Sequence, residues 1–184
     1  DGGTSLTKTQ SGDSFVYYRQ QPSGAWFDMT AANDVIDLDI SGVRGGAVEL
    51  RLALRNAQGK WSGGATWIER VEKPGRQTLP SAKALAAKAG VPDASAYQIM
   101  FRLKGGAGVS ATIDRIRIGD RADTNKAPAA QATSPAGQAA PAAGGYVDQL
   151  KSADGFHDSN GNIELNVVDG GVALSKPAAG DAFV

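Results

Sequence analysis

Apolar and polar side chains alternate along most of the chain, the period-two signature of half-buried strands. In Val35-Ile36-Asp37-Leu38-Asp39-Ile40 the aliphatic residues share one face and the two aspartates the other, which reads as an outer, solvated face. Ala47 to Leu54 repeats the pattern, with Val48, Leu50, Leu52 and Leu54 inward and Glu49, Arg51 and Arg55 outward. These two segments are expected to be neighbouring strands of one sheet. Ser14 to Arg19, Ala65 to Val71, Tyr97 to Leu103 and Val109 to Ile118 are further strands, set off by Gly, Asn and Pro turns. In the last of these, Val109, Ala111 and Ile113 share a face while Ile116 and Ile118 have the other parity, so a bulge is expected near Asp114-Arg115. One segment has helical character. Ser81 offers an N-cap, Ala82 to Ala89 are mostly strong helix formers, Gly90 ends the run and Pro92 prevents its continuation. Six or more strands with one short helix predict an all-β chain, an antiparallel β-sandwich.

Composition changes this picture in one region. Among residues 121–145, 16 of 25 are Ala, Pro or Gly and none is a large apolar residue. Such a segment buries too little surface to offset its ordering entropy, and its prolines favour an extended spacer. It is an Ala/Pro/Gly-rich linker between a body, residues 1–120, and a short β-rich tail, residues 146–184. The tail contains a further strand pattern in Asn162 to Val168, and then it repeats the opening of the chain. Asp169 to Val184 matches Asp1 to Val16 at nine of 16 positions, at a constant offset of 168. A repeating unit of that length begins near Tyr146, so the tail is expected to be the start of a second copy and the first copy lacks its own leader. Three fates are open for residues 146–184: completing the sandwich in their own chain, completing it in a neighbour by strand exchange, or disorder. Both copies of the Asp-Gly-Gly segment suit the same strand position.

Charge narrows the function classes. The 184 residues carry 19 basic and 19 acidic side chains, and no Lys/Arg cluster forms the broad basic face that nucleic-acid binding needs. Residues 1–120 hold 15 basic and 12 acidic groups, net +3, and residues 146–184 two and six, net −4, a distribution that favours association of tail with body. No apolar run approaches the roughly 20 residues of a spanning helix, so membrane insertion is not expected. The absence of cysteine removes disulfides, thiol catalysis and zinc-thiolate sites.

The order of elements carries a resemblance. Gly24-Ala25-Trp26-Phe27-Asp28, then Val35 to Ile40, then Val48 to Leu52 with Gly59-Lys60-Trp61, then Thr78-Leu79-Pro80, then Tyr97 to Phe101, closes on Ala111-Thr112-Ile113-Asp114-Arg115-Ile116-Arg117-Ile118. Over about residues 12–119 this resembles the jelly-roll carbohydrate-binding modules and galactose-binding-like β-sandwiches appended to bacterial glycoside hydrolases. The resemblance implies a jelly roll, a non-catalytic polysaccharide- or glycan-binding role, and a place in a secreted or cell-surface bacterial protein. It also implies a structural calcium where an acid of the closing strand meets the N-terminal segment, which nominates Asp114 with Asp13 or Asp1. A salt bridge from Asp114 to Arg102 or Arg117 is the competing assignment.

The residue chemistry is compatible with sugar recognition, which needs flat aromatic faces rimmed by groups that pair with hydroxyls. Trp26, Trp61, Trp67 and Tyr18 are the candidate platforms, and Arg19 and Arg51 lead the candidate polar partners, with Arg55, Glu49 and Gln98 behind them. Trp26 and Trp61, in Gly-rich loops, are the better surface candidates. Tyr17 and Tyr18 point to opposite faces, so at most one of them is in the core. Catalysis has little support. The single histidine, His157, sits beside a turn, and no nucleophile elbow or phosphate-binding glycine loop occurs. Asp37 and Asp39, about 7 Å apart by strand geometry, fall within the spacing of glycosidase carboxylates. His157-Asp158-Ser159-Asn160-Gly161-Asn162-Ile163-Glu164 departs from the spacing of a calcium loop and reads as an Asx-rich turn before a strand. Two other functions compete with glycan binding: a structural repeat of an adhesin or matrix protein that self-associates through residues 146–184 by strand exchange, and an accessory domain of a polysaccharide-active enzyme.

Overall fold

The computed structural model describes residues 3–8, 14–20, 23–79, 81–120, 146–148, 150–158 and 163–168, with the side chains of residues 8, 14, 32, 63–69, 147, 158 and 168 outside that description. Two long strands organise the fold. β4 (Val35–Asn56) and β7 (Ala94–Gly119) pair antiparallel along nearly their whole length, from Val35 opposite Gly119 to Asn56 opposite Ala94. The segments expected as separate strands, 35–40 with 47–54 and 97–103 with 109–118, are therefore two stretches of β4 and two of β7. The pairs are not neighbours across a sheet. Glycine makes this continuity practicable. The register shifts between Arg44 and Gly46, where Gly45 has a φ of 71° and faces Gly105 to Gly108 on the partner strand, Gly105 itself having a φ of 134°. Side chains rarely adopt those angles, and a Cβ on Gly46 would overlap the Lys104 carbonyl oxygen. Both strands can thus change course together without breaking the ladder, and a turn signal in the sequence becomes a break in register instead.

The shift divides the β4–β7 pair into two arms. On the first, β6 (Gly75–Thr78) pairs with residues 37–40, β1 (Gly3–Lys8) with 110–113 and β8 (Tyr146–Asp148) with 116–118. On the second, β5 (Trp61–Val71) pairs with 48–55, β2 (Ser14–Tyr18) with 99–103 and β3 (Phe27–Asp28) with 96–97. β9 (Phe156–Asp158) extends the second arm beyond β2, and β10 (Ile163–Val168) extends the first beyond β1. All ten strands belong to a single antiparallel sheet. The mostly β character and the one short helix match expectation, but the strands form one sheet that is not closed, where the expected sandwich has two. The physical reason is the pair of uninterrupted strands that runs through both arms.

One hydrophobic cluster draws on both arms. It contains Ile36, Leu38, Ile40, Ile116 and Ile118 from the first and Val48, Leu50, Leu52, Leu54, Ile99, Phe101 and Leu103 from the second. The expected bulge is present. Asp39 faces Arg115 and Ile40 faces Ile113, which leaves Asp114 unpaired in the ladder and returns Ile113 and Ile116 to the same buried side. Helix α1 (Ala82–Lys88) buries Ala82, Leu85 and Ala86, and Ser81 Oγ accepts from the Ala84 N–H at 3.2 Å. Asp34 reinforces this cap, because its Oδ1 accepts from Ser81 Oγ at 2.7 Å and from the Lys83 N–H at 3.1 Å.

The tail strands β8, β9 and β10 all pair with the body of their own chain, and Leu150, Phe156 and Ile163 enter the common core. A buried aromatic cluster joins the two parts. The Tyr18 hydroxyl donates to the Asp148 carboxylate and lies 2.6 Å from the Tyr146 hydroxyl, while the Tyr18 ring contacts Phe27 and Phe156. The Asx-rich turn at 159–162 and the second Asp-Gly-Gly copy at 169–184 lie outside the described residues, as does the linker.

Candidate functional site

Alternation along the second arm sends one set of side chains into the core and the other to the opposite face. On β2, Val16 and Tyr18 are fully buried, so Phe15, Tyr17 and Arg19 face outward. On β7 the outward set is Arg102, Met100 and Gln98, and on β4 it is Glu49, Arg51, Ala53 and Arg55. The pairing brings these into rows across the sheet. Phe15 is opposite Arg102, and Arg102 opposite Glu49. Tyr17 is opposite Met100, and Met100 opposite Arg51. Gln98 is opposite Ala53, and Arg55 opposite Trp61. His157 on β9 is exposed and opposite Tyr17.

Two loops complete this face. The β4–β5 turn is held by Asn56, whose Oδ1 accepts from the Gln58 N–H at 3.1 Å and the Lys60 N–H at 3.0 Å, and Trp61 follows directly. The segment before β3 is closed by reciprocal backbone contacts around Gln20 and Ala25, with the Gln20 N–H donating to the Ala25 carbonyl at 3.0 Å, and Trp26 follows there. The two indoles, far apart in sequence, meet edge to face with centroids 6.3 Å apart and planes at 88°. Trp61 is 50% exposed, the one large hydrophobic residue of that kind among the described residues. The Arg55 guanidinium lies 3.9 Å from the centroid of the Trp26 ring, which orients that indole and adds a cationic donor beside it. Along the same face, Arg19 Nε donates to Gln98 Oε1 at 2.9 Å, and Arg102 lies 3.6 Å from Glu49 and 5.4 Å from the Phe15 centroid.

The expected site residues thus divide. Trp26, Trp61, Arg19 and Arg51 lie on one face, together with Arg55, Glu49 and Gln98. The backbone of Trp67 is opposite Arg51, but its side chain lies outside the described residues. Tyr18 does not belong to the face. It is wholly buried, its hydroxyl is engaged by Asp148 and Tyr146, and burial, followed by the Asp148 contact, pushes its ionisation far above the ordinary tyrosine value. Tyr17 presents the outward ring instead. Sequence reading placed the two tryptophans in loops but carried no sign that they touch, because their contact depends on the β4–β5 hairpin and the β3 loop reaching the same end of the arm. The stacking of Arg55 on Trp26 was equally hidden, since only the pairing of Arg55 with Trp61 brings it there.

Asp37 and Asp39 are engaged by arginines of neighbouring strands. Asp37 was expected on a solvated face, yet it is 2% exposed, because β6 covers it: Thr78 Oγ1 donates to it at 2.5 Å and Arg76 Nη2 at 2.6 Å. The hydrogen bond to Asp37 raises the ionisation of Arg76 above its usual value. Asp39 pairs with Arg115 at 2.6 Å. With each carboxylate neutralised by its own arginine, the pair is not arranged as two free glycosidase acids. Asp114 accepts from Ser41 Oγ at 2.9 Å, while Arg102, one of the two arginines expected to reach it, lies by Glu49. Its carboxylate does lie against the N-terminal strand, where a Cβ on Gly3 would overlap Oδ1. Asp13 and Asp1 lie outside the described residues, and no group of three acidic or histidine side chains able to hold a metal is assembled among the described ones.

Comparison of the chain with protein-family models, with curated proteins and with solved structures gives no match.

Proposed function

We propose that the outer face of the second arm binds carbohydrate, and that the chain serves as a non-catalytic glycan-binding module of a larger secreted or surface bacterial protein. The observation that carries this reading is the Trp26–Trp61 pair with Arg55 stacked beside it. A half-exposed indole held by a second one is a preorganised platform for the apolar face of a pyranose, and it costs little ordering entropy on binding. The arginines that continue across the sheet supply donors for hydroxyls, with Gln98, which is buried, bracing Arg19 and Glu49 bracing Arg102. Among the described side chains of this face the arginines, Arg19, Arg51, Arg55 and Arg102 with them, outnumber the acids, which favours glycans that bear carboxylate or sulfate groups.

The test is a glycan array holding neutral and uronic-acid oligosaccharides, screened with and without calcium, using wild type, Trp61→Ala and Trp26→Ala. Binding by wild type that both variants lose, while their circular dichroism and melting stay close to wild type, supports the face. Equal binding by all three proteins, or none by a folded monodisperse sample, overturns it. The comparison with and without calcium addresses the metal that the resemblance implies. A second reading, a structural repeat that self-associates by strand exchange, needs the three strands from beyond the linker to pair with a neighbouring chain, whereas here they complete the sheet of their own body. Under it the same chain binds no glycan. As an accessory domain of a polysaccharide-active enzyme, the module keeps the same face and the same test.

A further inference from the structure

The pairing of β10 with β1 contains a numerical relation that the sequence duplication makes informative. Gly3 is opposite Val168, Leu6 opposite Leu165 and Lys8 opposite Ile163. Adding the repeat offset of 168 to the β1 residues places Gly171 opposite Val168, Leu174 opposite Leu165 and Lys176 opposite Ile163. Only Asp169-Gly170 would then separate the paired strands. Asp-Gly is the preferred filling of a two-residue hairpin loop, whose twist matches that of the flanking strands. The register observed between segments at opposite ends of the chain is therefore the register that a tight hairpin out of β10 demands.

The position that β1 occupies also has definite steric requirements. Gly3 lies against Asp114, and a Cβ there would overlap Oδ1. Thr4 and Leu6 are wholly buried, and Leu6 is part of the common core. The second copy meets each requirement: Gly171 matches Gly3, Leu174 matches Leu6, and Val172 has the shape of Thr4 with a methyl in place of the hydroxyl. The buried Thr4 hydroxyl makes one long contact, 3.4 Å to the Leu150 carbonyl, so valine gives up little there. Ser5 and Thr7, which are partly exposed, are the positions where the copies differ by Ala173 and Ser175.

We propose that the strand position between β10 and β7 has two occupants within one chain: residues 3–8, as in the structure, and residues 171–176, which fold back from β10 through Asp169-Gly170 and displace β1. Each occupant is tethered to a strand already in place by a short connection, Asp169-Gly170 from β10 or residues 9–13 from β2, so neither carries a large closure cost and the hairpin can compete for the place. The assignment is independent of the glycan reading.

Thermal melting and light-scattering mass of Leu6→Asp, Leu174→Asp and the double variant in the full chain test it. An aspartate at a fully buried leucine position is expected to lower the melting temperature by roughly 10 °C or more when nothing replaces it. With two occupants, Leu6→Asp alone stays close to wild type and monomeric, because residues 171–176 take the place, and only the double variant shows the large loss. Equal losses in Leu6→Asp and the double variant overturn the proposal, as does a double variant that melts like wild type. Rescue of Leu6→Asp that comes with a doubled mass overturns the hairpin in favour of exchange between two copies.

Discussion

Tyr18 and Asp37 show how the identity of a neighbour decides what a side chain does. Both look like surface groups in a period-two pattern, and both are buried because a segment remote in sequence covers them: the β8 strand over Tyr18 and the β6 strand over Asp37. Replacing Tyr18 by phenylalanine removes the donor to a half-buried carboxylate, and the expected cost is about 1.5–3 kcal/mol in urea unfolding. The buried phenols also set a pH limit. Burial, with the charges of Asp148 and Asp34 behind it, raises the ionisation of Tyr18 and Tyr97 above the ordinary value near 10. A group whose folded-state value is raised stabilises the fold fully below its unfolded value and loses that contribution as pH rises. Stability should therefore fall above about pH 10, by about 1.4 kcal/mol per pH unit for each ring. Absorbance titration at the phenolate band checks this: both rings should ionise together with the loss of circular dichroism. Ionisation of all the tyrosines within a folded protein would contradict it. Trp61, by contrast, is half exposed, so its truncation should change unfolding by less than about 1 kcal/mol while removing the proposed sugar platform.

The elements were legible where local chemistry alone sets them. Ser81, Gly90 and Pro92 bound the helix, and the structure adds only the Asp34 side chain that reinforces its cap. Asp34→Ala should therefore cost more than Ser81→Ala, about 1–2 kcal/mol against about 1 kcal/mol, since it removes acceptors for both Ser81 Oγ and the Lys83 N–H. The change of parity between Ile113 and Ile116 likewise disclosed the bulge at Asp114. What local chemistry could not disclose is whether glycines at 45–46 and 105–108 end a strand or redirect it. Glycine permits both, and only the pairing of β4 with β7 on either side of these positions decides. Gly46→Val is the corresponding prediction: its side chain would meet the Lys104 carbonyl, and the domain should lose at least 2 kcal/mol or fail to fold, as read by chemical denaturation.

At the level of the complete chain, the body is finished by strands from beyond the linker, and the tail brings Leu150, Phe156 and Ile163 into the common core. Linker length then matters little. Doubling residues 121–145 with Gly-Ser sequence should cost only about 0.6 kcal/mol, because closure entropy grows with the logarithm of length. Deleting 146–168 should cost far more, since it uncovers the edges of β1 and β2 and removes the partner of Tyr18. Equilibrium unfolding of the two variants separates these effects. A tail deletion no more harmful than the longer linker would show that the strand additions contribute little.

Alternation, capping and composition belong to the chain as a linear object, so the β-rich class, the helix, the Ala/Pro/Gly-rich composition of residues 121–145 and the duplicated Asp-Gly-Gly segment could all be read from residue order. Those features depend on residues a few positions apart. The single sheet, the burial of Asp37 and Tyr18, the docking of the tail and the meeting of Trp26 with Trp61 depend on which distant strands pair and in what register. Register is selected by the whole core at once, through the fit of buried side chains from both arms. No local window of sequence contains that information.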